Sequence, residues 1–226
     1  LKDGLKVQNI AIVHQNNDFG KGGRNAIFPE LEKRGIKVSA DLSTEPGQAD
    51  FAPDVAKVKA ANADAVFVYL TEEESARFLI EAKKQGLTKP LIGETTLLGQ
   101  KVVDLAKDAA EGVKGHVGLT ADADNALVKA YDKKFLDKFG HRSDHNGMKG
   151  YMAPYMLKAA VEKAGKWEPK AIAAALRGLT IDPAKEPGIL LNGTWDQNGD
   201  IDRESYLVEI KNGKQVISAV LPKLNN

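Results

Sequence analysis

Residues 64–96 read DAVFVYLTEEESARFLIEAKKQGLTKPLIGETT, and this run decides the fold. Residues 65–70 are a continuous apolar run rich in β-branched and aromatic side chains, the composition of a strand buried on both faces. Residues 72–85 follow with Ala76, Leu79, Ile80 and Lys83 at helical spacing, which predicts a helix that buries only the aliphatic stem of Lys83. Gly86 is its stop signal, and Leu91 and Ile92 open the next strand. The unit is strand-helix-strand, so its strands are expected to be parallel and neighbouring. Both polar turns, 71–75 and 93–96, then emerge at the carboxyl edge of the sheet, where open α/β sheets bind small ligands.

The same alternation continues on either side. Residues 7–14 (VQNIAIVH) form a buried strand ending in the polar turn 15–20, and a helix runs on to about Lys33, where Gly35 closes it. Pro29 within that helix removes a hydrogen bond and is expected to kink or break it. A strand over 36–43 and a loop at 47–51 (GQADF) come next, with Asp50 expected to cap a helix carrying Val55 and Val58. A helix over 98–109 and a glycine-weakened strand over 112–119 complete five strand-helix repeats, which predicts a doubly wound parallel α/β sheet.

Beyond Thr120 the texture changes. Helices are expected over 124–139, 148–164 and 169–176 with no strand between them. The first carries Leu127, Tyr131, Phe135 and Leu136; the second carries Met152, Met156, Ala160 and Val161. No second sheet is expected for these stripes to cover. An irregular stretch with Pro183 and Pro187, a turn over 196–200 and a hairpin of 205–210 with 214–220 close the chain, the Asn212-Gly213 pair marking the hairpin.

Composition narrows the function classes. The 226 residues hold 32 Lys and Arg against 31 Asp and Glu, so no basic field draws nucleic acid or an anionic membrane. No apolar run approaches the length of a membrane span. The chain has no cysteine, which excludes thiol chemistry, disulfides and cysteine-ligated metal and suits an oxidising compartment. It begins at Leu1, which reads as a processed or partial chain.

Several residue patterns invite chemistry and lose it on inspection. Gly20, Gly22 and Gly23 with Asp41 imitate a dinucleotide fingerprint, but the third glycine falls on Asn25 and the preceding turn is too long, so they read as a glycine-eased helix start. His141 and His145 are four apart, but glycines and a serine around them argue for a loop, and no Glu completes a zinc motif. The run Asp196, Asn198, Asp200, Asp202 lacks the glycine and glutamate positions of a calcium loop and reads as a turn. Glu72, Glu73 and Glu74 offset the dipole of their helix without any ligand, a reading favoured over one of them facing a cleft to take a ligand ammonium. For Glu94 and Thr95 a plain turn and a ligand-facing role remain open. No nucleophile–base pair or catalytic carboxylate pair assembles, so neither catalysis, metal nor cofactor is expected.

In order and spacing, VQNIAIVHQNNDFGKGG, EPGQADF, ADAVFVYL, KKQGLTKPLIGE, DAAEGV and GYMAPYMLKAAVEKAG resemble the type I periplasmic solute-binding proteins of ABC importers, in particular the Leu/Ile/Val-binding group. The resemblance covers nearly the whole chain. It implies two lobes, with 1–119 and 204–226 as the second lobe and 120–203 as helices of a first lobe whose opening half is absent. On the family pattern Phe19 matches the aromatic of its tyrosine-glycine turn, and Thr71, flanked by Tyr69, matches the tip after the third strand. The acid that takes a ligand ammonium aligns on Thr95, one place after Glu94. Asn146 or Met148 comes from the crossing loop. The implied partners are a small-molecule solute and a membrane permease, and the implied place is the periplasm. A ligand sensor of the same fold and a Rossmann-like enzyme domain are the alternatives. With one lobe incomplete, weak or no solute binding is expected, and a homodimer if the apolar stripes meet a second copy.

Overall fold

The computed structural model describes residues 5–224; residues 1–4 and 225–226 of the expected lobes lie outside the described residues. Contacts divide the chain into two compact units, one running through His116 and including Val208–Val216, the other comprising Val117–Leu207 with the residues from Ile217 on.

In the first unit β1 (Asn9–Gln15), α1 (Asp18–Lys33), β2 (Lys37–Thr44), α2 (Ala52–Ala60), β3 (Ala65–Tyr69), α3 (Glu72–Lys84), β4 (Leu91–Gly93), α4 (Gln100–Ala106) and β5 (Lys114–Val117) alternate as expected. β1 pairs in parallel with both β2 and β3, β3 with β4, and β4 with β5. Adding β9 (Ser205–Lys211) and β10 (Lys214–Leu221), the sheet has seven strands in the order β10-β9-β5-β4-β3-β1-β2. Asn212 and Gly213 both take positive φ, 52° and 69°, the backbone a two-residue hairpin turn requires.

β1 explains why the sheet is covered on both faces. Ile10, Ala11, Ile12 and Val13 are all fully buried, although successive side chains point to opposite sides. Ile10 and Ile12 join Leu31, Ile36 and Ala65 in one cluster, against which Ile27 and Phe28 of α1 pack. Elsewhere α2 and α3 bury Val55, Val58, Phe78 and Leu79, and Phe51 meets Phe78 edge-on at 6.0 Å.

Four expectations about this unit need correction. α1 runs unbroken through Pro29, capped at Asn17, whose side chain accepts the Gly20 amide. Phe51 rather than Asp50 is the cap residue of α2, though the Asp50 carboxylate still accepts the Ala52 amide at 2.9 Å. α3 turns Ala76, Phe78, Leu79 and Ala82 inward; Ile80 is 45% exposed and Lys83 reaches out to Asp108. The helix expected over 98–109 starts later and ends in a 3-10 turn, Lys107–Ala110, where Lys107 takes φ 52°.

The second unit holds α5 (Ala126–Phe139), α6 (His145–Ala164) and α7 (Pro169–Leu176). Contrary to expectation it also holds a sheet: β6 (Thr180–Ile181), β7 (Gly193–Trp195) and β8 (Ile201–Asp202) pair antiparallel. Strands of two or three residues show no alternation to read. The stripe of α6 is covered in part by the segment after Pro187: Met152 is buried, its Sδ faces the Leu190 amide at 3.4 Å, and Ile189, Leu190 and Leu191 are buried too. α5 packs on α6 through Tyr131 and Tyr151, ring centroids 4.8 Å apart, while Leu127 and Leu136 stay exposed. His145 opens α6 on an Asp144 cap rather than lying in a loop.

Phe78→Ala should cost about 3–5 kcal/mol of unfolding free energy, because it empties a fully buried aromatic site. Urea denaturation of both chains measures this; a loss under about 1 kcal/mol would mean the region repacks freely.

Candidate functional site

The order β2-β1-β3-β4-β5 reverses direction between β1 and β3. The chain leaves β1 toward β2 on one side and the next strand, β3, pairs on the other, so the turns after β1 and β3 diverge and leave a crevice at their carboxyl ends. That crevice collects Phe19, Tyr69 and Thr71, with Glu94 and Thr95 following β4.

Tyr69 ends β3 and Phe19 stands on the first turn of α1. Their rings stack at 4.4 Å and 21°, and Phe67, two residues back on the same strand face, extends the stack at 5.9 Å. Phe19 remains 38% exposed, so the stack presents an apolar ring to solvent. The nearby glycines serve this packing. A Cβ on Gly23 would stand 2.3 Å from Tyr69 Cε1, and one on Gly20 would stand 1.9 Å from the Gln15 carbonyl oxygen. The glycine run is thus a close approach of α1 to β1 and β3, not merely an easy helix start. Asp41, at the acid position of the imitated fingerprint, is held by Arg24 at 2.7 Å from Nε and lies 3.3 Å from Nε2 of the buried His14.

Glu94 is half-buried, and its Oε1 accepts the Thr96 amide at 3.0 Å. Partial burial pushes the Tyr69 phenol up from its ordinary value, and the negative charge of Glu94 adds to that. The ring therefore keeps its proton and offers a neutral hydroxyl beside a carboxylate. Thr71 is the cap residue of α3, yet its hydroxyl makes no capping bond. Asn146 belongs to the second unit and is exposed on the first turn of α6; the other five candidates stand together in the first unit.

The acidic run of α3 contains a residue that sequence reasoning missed. Glu72 and Glu73 pair with Lys101 at 3.4 and 2.6 Å, whereas Glu74 is buried. Its Oε1 accepts the Gln15 side-chain amide at 2.9 Å and the Gly47 backbone amide at 2.7 Å, and Gln15 Oε1 accepts from Asn17 at 2.9 Å. One carboxylate thus ties together the turns after β1, β2 and β3, all at the carboxyl edge. The EPG turn before Gln48, where Gly47 takes φ 80°, was the available signal.

Two open grooves of the first unit lie elsewhere. One of about 530 Å³ is lined by Lys6–Asn9 residues with Arg34 and Lys37, another of about 480 Å³ by residues around Gly86–Leu91 and Asp108–Val113. Both sit at the amino ends of the strands and are open to solvent, away from the topological switch point. Among the described residues no group of three or more His, Asp or Glu is placed to hold a metal. The 196–200 turn is closed by Asp196, whose Oδ1 accepts the amides of Asn198 and Asp200.

A family model described as Periplasmic binding protein matches residues 1–215. The leucine-, isoleucine-, valine-, threonine-, and alanine-binding protein of Pseudomonas aeruginosa is 27% identical over 207 residues, covering 90% of this chain and 53% of that protein. The Leu/Ile/Val-binding protein of Escherichia coli K12 is 26% identical over 201 residues, covering 87% and 52%. The chain spans about half the length of these curated relatives. Among solved structures, a leucine binding protein from Thermotoga maritima superposes with a TM-score of 0.82 at 20% identity, covering 98% of this chain and 62% of that one. A solute binding protein from R. palustris in complex with benzoate gives 0.83 at 20% identity, covering 98% and 61%. At these identities the structural likeness shows the fold.

Gly23→Ala should destabilise the chain by about 1–3 kcal/mol, since the added methyl meets the Tyr69 ring. In a Tyr69→Leu background most of that penalty should vanish. Thermal or urea unfolding of the four chains in this cycle reads the coupling; additive losses would show that Gly23 and Tyr69 are not in contact.

Proposed function

Because the chain belongs to the periplasmic binding protein family, a family of binding proteins and not of enzymes, we propose that it acts as the solute-binding component of an ABC import system for amino acids with short aliphatic side chains. The observation that carries this reading is the pairing of an exposed aromatic stack, Phe19 on Tyr69, with the Glu94 carboxylate at the carboxyl edge of one sheet. A branched side chain packs on the ring face, and the ligand ammonium takes the carboxylate, with the Thr71 and Thr95 hydroxyls beside it. The relatives' names, which state leucine, isoleucine and valine among their ligands, support the same class. On this reading the working place is the periplasm and the partner is a membrane permease; no described helix is long and apolar enough to cross a membrane.

Glu94 is half-buried, so its bond to an ammonium is charge-assisted, worth about 1.5–3 kcal/mol. Glu94→Gln should therefore weaken leucine binding roughly 10- to 150-fold. Calorimetry of both chains with leucine, valine, threonine and benzoate tests this. Equal leucine affinity in the variant would remove Glu94 from the site, and binding of benzoate by a chain silent toward every amino acid would overturn the proposed solute class.

A further inference from the structure

Six arginines occur in the sequence, at 24, 34, 77, 142, 177 and 203. Five are engaged: Arg24 by Asp41, Arg34 by Glu30, Arg77 by the Gln48 carbonyl, Arg142 by Asp122 and Asp132, and Arg177 by the Gln197 carbonyl. Arg203 is the exception. Among the described residues its guanidinium has neither a hydrogen-bond acceptor nor a carboxylate at ion-pair distance, although the side chain is partly buried. The acid next to it is committed elsewhere, because Glu204 Oε1 accepts the hydroxyl of the buried Tyr206 at 2.7 Å.

The surroundings of Arg203 are shaped for the guanidinium plane. It lies two residues before β9 and rests over Gly118, the residue after β5, both within the second unit. A Cβ on Gly118 would stand 3.0 Å from Nη2, 3.8 Å from Cζ and 3.9 Å from Nε, so the absence of a side chain there makes the space the fork occupies. Burial disfavours the charged form of this group, lowering its pKa, with Tyr206 acting weakly the other way. Holding an unmatched cation out of water is costly, and a carboxylate is the partner that matches a guanidinium fork with two parallel N–H···O bonds.

We propose that Arg203, laid over Gly118, is a binding site for the carboxylate group of a small solute. A single cation with Glu204 as sequence neighbour suits a monoanion; phosphate is the weaker fit, since phosphate sites gather several donors or cations. The inference stands apart from the amino-acid reading above: it concerns the second unit alone, and leucine serves as one carboxylate among the probes.

The test uses the full chain with arginine Nε–H resonances observed by NMR. Leucine, leucinamide, acetate, benzoate and inorganic phosphate are titrated in turn, with Arg203→Met and Gly118→Ala as variants. The expected result is a saturable shift of the Arg203 Nε–H with leucine or benzoate, none with leucinamide, and at least tenfold weaker binding of the same acid to Arg203→Met. That variant should melt at an equal or higher temperature, because it removes an unmatched charge. Gly118→Ala, which crowds the fork, should weaken binding at least threefold while keeping the folded spectrum; it decides the matter if Arg203→Met does not fold. Acetate or benzoate shifting Arg203 while no amino acid binds would uphold this site and overturn the amino-acid reading. Leucine binding with Arg203 unmoved, or an amide shifting it as much as the acid, would overturn the site and leave that reading standing. Silence of Arg203 toward every carboxylate also overturns it, as does a strong response to phosphate alone.

Discussion

A parallel sheet buried on both faces leaves one kind of place where polar side chains gather with little cost: the turns beyond the strand ends. β1 sets this constraint, since Ile10, Ala11, Ile12 and Val13 are wholly buried on alternating faces. No polar group fits along such a strand without a partner. Because β1, β3 and β4 run parallel, their carboxyl ends deliver Phe19, Thr71, Glu94 and Thr95 to one edge. The reversal of strand order between β1 and β3 separates the first two turns into a crevice. Everything assigned to the first unit follows from that arrangement.

An edge made of turns is useful only if the turns hold still. Two devices do this. The Gly20–Gly23 helix start lets α1 lie against Gln15 and the Tyr69 ring, which sets the ring under Phe19. The Glu74 carboxylate, buried with two donors, joins the turns after β1, β2 and β3. A buried network of this kind rigidifies when all its members are satisfied. Arg203 in the second unit is the contrast, a partly buried cation without a match among the described residues.

Much of this was legible in the sequence, for identifiable reasons. The apolar runs at β1 and β3 exceed what a half-buried strand carries, so the parallel sheet and its edge were readable, as was the Asn212-Gly213 turn. The resemblance to solute-binding proteins rested on six short motifs, and the family match over residues 1–215 agrees with it. What failed was local. Ile80 and Lys83 share helical spacing with Leu79, but Phe78 and Ala82 fill the buried arc, and spacing alone does not set its centre. β6–β8 are too short for a period. Glu74 hides between two carboxylates of the same helix turn, and only tertiary contact shows that it faces inward while its neighbours pair with Lys101. The unpaired state of Arg203 is likewise invisible until the structure shows where Glu204 goes.

The central claim is that solute binds at the carboxyl edge of the sheet, at the β1/β3 crevice. Backbone amide shifts of the isotope-labelled chain on adding leucine test it most directly. The account predicts that the largest changes fall on Phe19, Gly20, Thr71, Glu72, Thr95 and Thr96. Changes centred instead on Gln8, Arg34 and Gly35, or on Gly86, Leu87 and Gly112, would put the ligand in the grooves at the amino edge and contradict it.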